Sequence, residues 1–247
     1  MALQDRAIRT RRVILEAAAS VFEEHGYEAT KITDIVDRAK VTKGALYHHF
    51  DSKEALALAV LEAQLEEVPP LPAQASRLQE AIDFGMVFAH RLTYDPIVRA
   101  SVRLTLEDTG QALKRSGPYD GWADLSARSL QQAKTGGELL PHVDPDETAM
   151  VIVAAYAGIN LVARFTGSRE EHDKRAALLY RHLVPSIAVP SVLAALDMAP
   201  GRGRRVIAEA ERAQSTRRAQ DGPLVAQGPQ RLVAGRLPVA RVGPAGR

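Results

Sequence analysis

The segment from Thr42 to His48 carries side chains whose chemistry suits contact with DNA. Lys43 can reach a guanine edge or a phosphate, and Tyr47 and His48 can donate hydrogen bonds to phosphates. Gly44 lets the backbone approach a ligand closely, because it has no side chain. The segment therefore favours a DNA-reading helix. The alternative is an ordinary charged face on a solvated helical hairpin.

Four amphipathic helices are predicted to position this segment. Helices as short as the second and third are unstable alone, so they must pack across the first as a helix-turn-helix over residues 31–50. Gly26 is expected to end the first helix, and Thr42 to cap the third. The fourth is expected to begin at Asp51 in a capping box and to run to about Glu67. The apolar stripe of the third helix consists of Val41, Ala45, Leu46 and Phe50.

Basic residues around this motif are predicted to add phosphate contacts. The chain carries 32 Lys and Arg against 30 Asp and Glu, for a net charge of +2. Residues 201–247 hold 10 basic and 3 acidic residues, whereas residues 61–200 hold 13 and 18. DNA affinity must therefore come from a local patch rather than from the whole-chain charge. Besides the third helix, the predicted contacts are Arg6, Arg9, Lys31, Lys40 and Lys53.

The sequence lacks the residues that several other function classes need. It has no cysteine, which excludes disulfides, thiolate zinc sites and cysteine nucleophiles. His48 and His49 would point about 100° apart on a helix, unlike the i, i+4 pairs that share a metal. No phosphate-binding loop, dinucleotide fingerprint or hydrolase motif is present. We expect no enzyme activity, no metal and no cofactor. A pure protein-interaction module is an alternative, and it would lack salt-dependent DNA affinity.

The predicted fold class is all-α, with two domains and a tail. A proline cluster at 69–72 separates a DNA-binding domain over 1–68 from a ligand-binding and dimerisation domain over 69–200. Residues 201–247 are rich in Gly, Pro and Arg, so we expect at most a frayed helix to about residue 220 and disorder beyond it. No apolar run reaches the ~18 residues of a membrane span, and no signal peptide is apparent. A cytoplasmic protein with no membrane partner is expected.

Capping residues mark several helix starts in the second domain. Asp95 and Asp144 each precede a proline, the N-cap and N1 pattern. Ser168–Glu171 reads as a further capping box. Pro185 and Pro190 should kink or divide the last segment. The helical segments are expected near 74–94, 96–108, 120–135, 144–166 and 169–197.

A ligand cavity is expected between the helices of the second domain. For any single residue in it, plain core packing is the alternative. Thr105 and Tyr156 would supply the few polar contacts. The residues predicted to line the cavity are Phe84, Val87, Phe88, Val102, Thr105, Trp122 and Tyr156.

The N-terminal region resembles the TetR family of bacterial repressors over roughly residues 8–68. The resemblance implies an all-helical homodimer whose N-terminal domains enter successive major grooves of a palindromic, double-stranded DNA operator. One position departs from the family, which usually has glycine where this chain has Lys40. A non-glycine residue at positive φ costs about 1 kcal/mol, which a phosphate contact from Lys40 would offset. The matching residues are Gly26–Thr30, Ile35, Val36, Ala39, Val41–Phe50 and Lys53–Leu56.

A narrower resemblance is to the γ-butyrolactone receptor subfamily of actinomycetes. It implies a small diffusible effector of γ-butyrolactone type that releases the operator, control of antibiotic production, and a pocket covered by Trp122. It also implies a four-helix dimer interface from helices near 144–166 and 169–187. The matching segments are Thr42–Phe50, Ala57–Gln64, Arg99–Glu107 and Gly117–Trp122. Suitable interface residues are Ala149, Ile152, Val153, Ala157, Leu178, Leu179 and Leu183, although the same stripe would also suit an intramolecular core.

A second kind of regulator stays open at this point. A xenobiotic or antibiotic sensor that controls an exporter would carry the same DNA-binding domain. A large pocket with many aromatic residues and carboxylates would favour such a sensor. A small closed pocket roofed by Trp122 would favour the lactone type.

Overall fold

The computed structural model describes residues 2–66, 70–107, 116–168 and 171–220, and these residues form a helical bundle. Within them, the only extended pairing is one isolated bridge between Leu139 and Ala188. The predicted all-α class is confirmed. The helices are α1 (Ala2–Ala29), α2 (Ile32–Ala39), α3 (Lys43–His49), α4 (Lys53–Glu66), α5 (Arg77–Tyr94), α6 (Pro96–Leu106), α7 (Ser116–Thr135), α8 (Pro145–Thr166), α9 (His172–Leu183), α10 (Pro190–Leu193) and α11 (Arg202–Gln220).

Two predicted aspartate caps begin helices of the second domain. The Asp95 carboxylate accepts a hydrogen bond from the Ile97 N–H at 2.9 Å, so α6 starts at the proline between them. The Asp144 carboxylate accepts from the N–H of Asp146 at 2.8 Å in the same way at α8. Both predicted caps are therefore confirmed. Each one satisfies backbone N–H donors that have no partner within the first helical turn.

Two other predicted starts differ from the structure. The Ser52 hydroxyl accepts from the Ala55 N–H at 3.0 Å, so Ser52 caps α4 and the predicted cap at Asp51 is off by one residue. At α9 the helix begins at His172. The capping box predicted over Ser168–Glu171 includes two residues that lie outside the described ones.

The four N-terminal helices, here called the head, share one apolar core with part of α6. Phe22 and Leu46 are completely buried in it. Ile97, Ala100 and Leu104 of α6 complete the same core. The head is therefore packed around a helix that follows the proline cluster in sequence.

The helices α5 to α10 form the rest of the bundle, here called the body. Its core contains Leu78 and Met86 of α5 and Tyr180 of α9. As predicted, Pro185 and Pro190 divide the last segment: α9 ends, a 3₁₀ turn covers Val184–Ser186, and α10 follows.

The C-terminal helix α11 differs from the prediction of at most a frayed helix. It packs along α5, and Val206 and Ala210 are buried there. Arg202 anchors its first turn through an ion pair with Asp83, which no local sequence pattern announces. The predicted disordered segment 221–247 lies outside the described residues.

Candidate DNA interface and ligand cavity

The helix α3 presents one polar face to solvent because its other face is buried in the head. Leu46 and Phe50 fill the head core. The Thr42 hydroxyl accepts from the Ala45 N–H at 3.1 Å, which confirms the predicted cap. All five side chains or backbone positions predicted for DNA contact on this helix are exposed: Thr42, Lys43, Gly44, Tyr47 and His48.

The turn between α2 and α3 has the backbone strain that the sequence predicts. Lys40 sits in the left-handed region with φ 53° and ψ 42°, and it is the only non-glycine residue with positive φ in the described part of the chain. Its N–H closes the C-terminal end of α2 on the carbonyl groups of Val36 and Asp37. The Lys40 side chain is exposed beside the start of α3, where a phosphate contact would be in reach.

The N-terminal turns of α1 add cations to the same side of the head. Arg6 and Arg9 are exposed and line a shallow hollow together with Val41 of the interhelical turn. Arg11 was not predicted as a site residue, yet its guanidinium lies 4.5 Å from the centre of the Phe50 ring. This cation–π contact ties the basic start of α1 to the end of the recognition helix.

The Lys53 side chain makes contacts within the head, while its predicted phosphate contact stays a prediction. Its ammonium donates to the carbonyl oxygens of Tyr27 at 2.9 Å and Thr30 at 3.2 Å, and lies 4.4 Å from the centre of the Tyr27 ring. Lys53 thus closes the end of α1, and a phosphate contact would compete with these bonds. Lys31, the other predicted lysine near this end, is exposed at the N-terminus of α2.

A cavity opens in the body between α5, α6, α7, α8 and α9. Its volume open to the centre of a water-sized sphere is about 60 Å³, so a ligand that enters must push the walls apart. The described walls are almost entirely apolar and contain no Asp, Glu, Lys or Arg. Five of the seven predicted residues line it: Phe84, Phe88, Val102, Trp122 and Tyr156.

Aromatic rings form one side of this cavity. Phe88 packs edge-to-face against Trp122, with ring centres 5.3 Å apart, and against Tyr156, with centres 5.9 Å apart. Trp122 also belongs to a small cluster with Val102 of α6. The single tryptophan therefore connects the cavity wall on α7 to the helix that enters the head.

The two remaining predicted residues do not line the cavity. Val87 is buried, but helix geometry turns it about 100° away from Phe88 and so off the cavity face. The Thr105 hydroxyl donates to the carbonyl of Ser101 at 2.7 Å within α6, so it is not available to a ligand.

Two tyrosines that face each other supply the polar chemistry deep in the cavity. Tyr156 was predicted and Tyr180 was not; both line the wall, with ring centres 6.3 Å apart. The Tyr156 hydroxyl is buried and makes no hydrogen bond of good geometry with any described residue. Burial raises the pKa of Tyr156 well above its ordinary value, and raises the pKa of Tyr180 to about 12. Both phenols are therefore neutral donors at physiological pH.

Glycine at position 85 makes room for these hydroxyl groups. A Cβ at Gly85 would stand 1.9 Å from the Tyr180 hydroxyl oxygen and 2.9 Å from that of Tyr156. The sequence offered one signal for this contact, namely a glycine inside an apolar helix, which often marks a place where another group approaches the backbone closely.

A buried amide forms the wall of the cavity nearest the head. The Asn160 side chain donates to the Tyr156 carbonyl at 2.9 Å, and its oxygen lies 2.9 Å from His172 Nε2. With this orientation of the amide, Nε2 carries the proton and donates it to Asn160. Both Asn160 and His172 are buried, so this pair holds α8 to α9 beside the cavity.

The helix α6 belongs to the head and to the cavity at once. Ile97 and Leu104 are in the head core, whereas Val102 is in the cavity wall. Arg99 of α6 also pairs with Glu23 of α1 at 2.8 Å, and both side chains are largely buried. Displacement of α6 by a ligand would therefore be felt directly by the head.

An apolar strip remains uncovered on the outside of α8 and α9. The Phe165 side chain is 83% exposed and Met150 is 67% exposed. The strip consists of Met150, Val151, Leu161, Val162, Phe165 and Leu178. Of the predicted interface residues, only Leu178 is on it. The others are buried or half-buried toward the cavity and the body core: Ala149, Ile152, Val153, Ala157, Leu179 and Leu183.

The helix α8 is long and apolar enough to cross a membrane by length and composition alone. Core helices of soluble proteins meet the same criterion. Its inner side carries the buried Asn160 and Tyr156, and it packs against α7 and α9. Its apolar character thus has an explanation within the bundle and its outer strip.

Comparison with known families agrees with this arrangement of head and body. Residues 14–60 match the model of the bacterial regulatory proteins of the tetR family, and residues 75–190 match the tetracycline repressor-like C-terminal domain. The chain belongs to the TetR family and is a DNA-binding regulator, not an enzyme.

Individual relatives are more specific than the family models. The A-factor receptor protein of Streptomyces griseus is 40% identical over 92% of this chain and 80% of its own length. The crystal structure of TylP, a TetR regulator from Streptomyces fradiae, is 44% identical and superposes with a TM-score of 0.77, covering 83% of this chain and 99% of TylP. A crystal structure of a γ-butyrolactone receptor, described as ArpA-like, is 27% identical with a TM-score of 0.60, covering 85% of this chain and 99% of the receptor.

Proposed function

We propose that this protein is a cytoplasmic, homodimeric repressor that leaves its operator when a small lactone-type signal enters the body cavity. Its targets are genes of antibiotic or secondary-metabolite production. The exposed face of α3, the basic start of α1 and Lys40 read a palindromic operator. The relatives named as an A-factor receptor and a γ-butyrolactone receptor support this class of effector.

The buried hydroxyl of Tyr156, which has the Tyr180 hydroxyl beside it in poor hydrogen-bond geometry, carries the proposal on the ligand side. A buried donor that lacks a good hydrogen bond costs about 1–3 kcal/mol, so a ligand that accepts a well-aligned bond from it is favoured at this site. A lactone offers a carbonyl acceptor on an uncharged body, and its alkyl chain suits the apolar walls. The neutral phenols of Tyr156 and Tyr180 match such an acceptor.

The composition of the walls favours a lactone over the exporter-type sensor. Sensors of cationic drugs need carboxylates to balance the ligand charge. The described wall has aromatic rings but no carboxylate. The cavity therefore suits a neutral ligand with one or two acceptor atoms.

The proposed release operates through α6. A ligand between Trp122 and Tyr156 pushes on Val102, and α6 carries the displacement to the head through Leu104 and the Arg99–Glu23 ion pair. A shift of a few Å between the two recognition helices is enough to leave register, because half-sites are spaced by about one helical turn of DNA. The effector must bind the released state more tightly than the operator-bound state.

The test is a gel-shift titration on an operator that the intact protein selects from a random-sequence pool. A synthetic γ-butyrolactone with an alkyl side chain should release the DNA. Tyr156→Phe should bind the operator normally but need about tenfold more lactone, since one hydrogen bond of about 1.4 kcal/mol is lost. The matched control is Tyr94→Phe, which removes the same hydroxyl from a half-exposed ring outside the cavity. Equal potency on both variants would refute the role of Tyr156. Release by a lipophilic cation and not by any lactone would favour the exporter sensor.

A further inference from the structure

The helix α11 lies beyond both family-model matches, and two contacts together with one electrostatic interaction give its direction. At its start, Arg202 binds the carboxylate of Asp83 with bonds of 2.8 and 2.6 Å. One residue later, a Cβ on Gly203 would lie 2.1 Å from the carbonyl oxygen of Met86. Farther on, Glu211 is close enough to Tyr94 that its charge adds to burial in raising the pKa of that phenol. The helix α11 therefore runs parallel to α5 and reaches its end at Tyr94.

The second half of α11 continues past the end of α5 without a partner in the described chain. Up to Arg217, Ala210 is the last buried residue, and from Glu211 to Arg217 every side chain except half-buried Gln214 is exposed. The nine residues after Glu211 extend the helix by about 14 Å at 1.5 Å per residue. This half has no large apolar side chain, so a hydrophobic partner does not suit it.

The projecting half leaves the body on the side where the DNA interface begins. Tyr94 lines a groove with Val13 of α1 and Arg38 of α2. Val13 also lines the hollow that contains Arg6 and Arg9. A path along the surface thus leads from the end of α5 to the basic start of α1.

The charge of this half suits a polyanion. Arg212, Arg217 and Arg218 outnumber the one carboxylate, Glu211, and the chain beyond residue 220 adds four arginines against a single aspartate. The groove itself offers little attraction, because the two carboxylates in its described walls already have arginine partners: Glu16 pairs with Arg12 at 2.7 Å and Asp95 with Arg91 at 2.8 Å.

From these observations we infer that the end of α11 is a DNA arm, whose arginines contact backbone phosphates that flank each half-site. The inference rests on the proposed operator binding. Arm contacts would add sequence-independent, salt-sensitive affinity to a head that holds 9 Lys and Arg against 11 Asp and Glu over residues 2–66. They would also require duplex beyond the palindrome.

The experiment compares Arg212→Gln/Arg217→Gln with a matched control, Arg128→Gln/Arg204→Gln, in the full chain. The control removes the same charge from exposed positions on α7 and on the packed half of α11. Affinity is measured against salt on the selected operator, with and without flanks that extend the duplex to about 40 base pairs. We expect the arm variant to flatten the log–log salt slope by about 1–4 on the long duplex, because each lost phosphate contact removes about 0.9. The short duplex and the control should show no such change.

Three results would overturn the arm. Equal slopes for the arm variant and the control would mean that only net charge matters. Equal losses on the short and long duplexes would mean that the arginines do not reach flanking DNA. A weakened dimer with an unchanged slope would assign the arm to the partner subunit. A failure of the proposed operator binding would look different. In that case Lys43→Ala would leave binding to the selected operator unchanged, whereas the arm variant would still lose affinity for a random duplex.

Discussion

The backbone N–H of Tyr27 donates to a Glu107 carboxylate oxygen at 2.9 Å, joining the end of α1 to the end of α6 across 80 residues of sequence. Arg103 holds the same carboxylate and also donates to the Glu23 carbonyl. This connection forms where Gly26 leaves the helical conformation, with φ 79° and ψ 177°. These hydrogen bonds therefore hold the head to α6 at the kink that Gly26 makes in α1.

Gly26→Ala is predicted to weaken the hydrogen bond between Tyr27 and Glu107 and so to destabilise the protein. The backbone conformation is nearly exclusive to glycine, at a cost of about 1–3 kcal/mol for another residue. In addition, a Cβ would lie 2.5 Å from a Glu107 oxygen. Urea unfolding should show a loss of about 2 kcal/mol or more. Gly167→Ala is the control, because it has φ 67° but open space around its Cβ, and should lose only about 1 kcal/mol. Equal losses would mean that the Glu107 contact does not matter.

A substitution at the turn residue Lys40 is predicted to raise the free energy of unfolding instead of lowering it. Lys40→Gly should stabilise the protein by up to about 1 kcal/mol, because glycine adopts this left-handed conformation without strain. Lys40→Ala removes the same charge but keeps the strain, so its stability should not rise. Both variants should flatten the salt slope of operator binding if Lys40 contacts a phosphate. Stability from chemical denaturation and slopes from gel shifts separate the two effects; a Lys40→Gly variant no more stable than Lys40→Ala would contradict the strain.

The anchor of α11 predicts unequal costs for two neighbouring arginines. Removing Arg202 leaves the buried Asp83 without a counter-charge, with only the Gln79 amide still donating to it, so Arg202→Gln should cost about 3 kcal/mol in unfolding free energy. Arg205 pairs with Asp197 at 2.6 Å, but both are about 40% exposed, so Arg205→Gln should cost less than about 1 kcal/mol. Denaturant unfolding of both variants is the measurement. Similar small losses would show that α11 is not held by its buried ion pair.

Local sequence patterns were enough for features that depend on neighbouring residues. The caps at Thr42, Asp95 and Asp144 each follow from a few adjacent positions. The strained turn at Lys40 was expected only from the resemblance to a family that usually has glycine there. The exposed face of α3 followed from the helical period, because burial of Leu46 and its stripe fixes which side is open.

Features that depend on contacts between residues far apart in the sequence could not be predicted from local patterns. The phosphate contact of Lys53 is predicted from its position at a helix start, whereas its bonds to the carbonyls of Tyr27 and Thr30 come from a segment 26 and 23 residues away. Tyr180 lines the cavity because α9 packs beside α8. Helix α8 is apolar on both sides, so periodicity alone does not choose between core and interface, and the dimer interface stays a prediction.

The recognition helix predicts selective losses of operator affinity. Lys43 and Tyr47 are exposed and adjacent, with the ammonium 5.9 Å from the ring centre. Lys43→Ala should cost about 1 kcal/mol or more per subunit, hence about thirtyfold or more in the affinity of the dimer, and Tyr47→Ala should weaken binding as well. Arg128→Ala, a loss of charge on α7, is the control. Affinities are compared at matched salt, and unchanged binding by both recognition-helix variants would remove α3 from the interface.

Trp122 predicts a variant that separates DNA binding from release. Its ring packs on Phe88 and, through the same cluster, on Val102 of α6, so a ligand beneath it would press on both. Trp122→Ala removes an apolar wall worth about 3 kcal/mol when buried, and should raise the lactone concentration needed for release by about a hundredfold. Operator affinity should change little, because the main packing partners of α7 in the described chain are α5 and α8 and not the helices of the head. Trp122→Phe keeps most of the contact and should retain release. Full release of Trp122→Ala by the same lactone concentration would show that the signal does not pass through this ring.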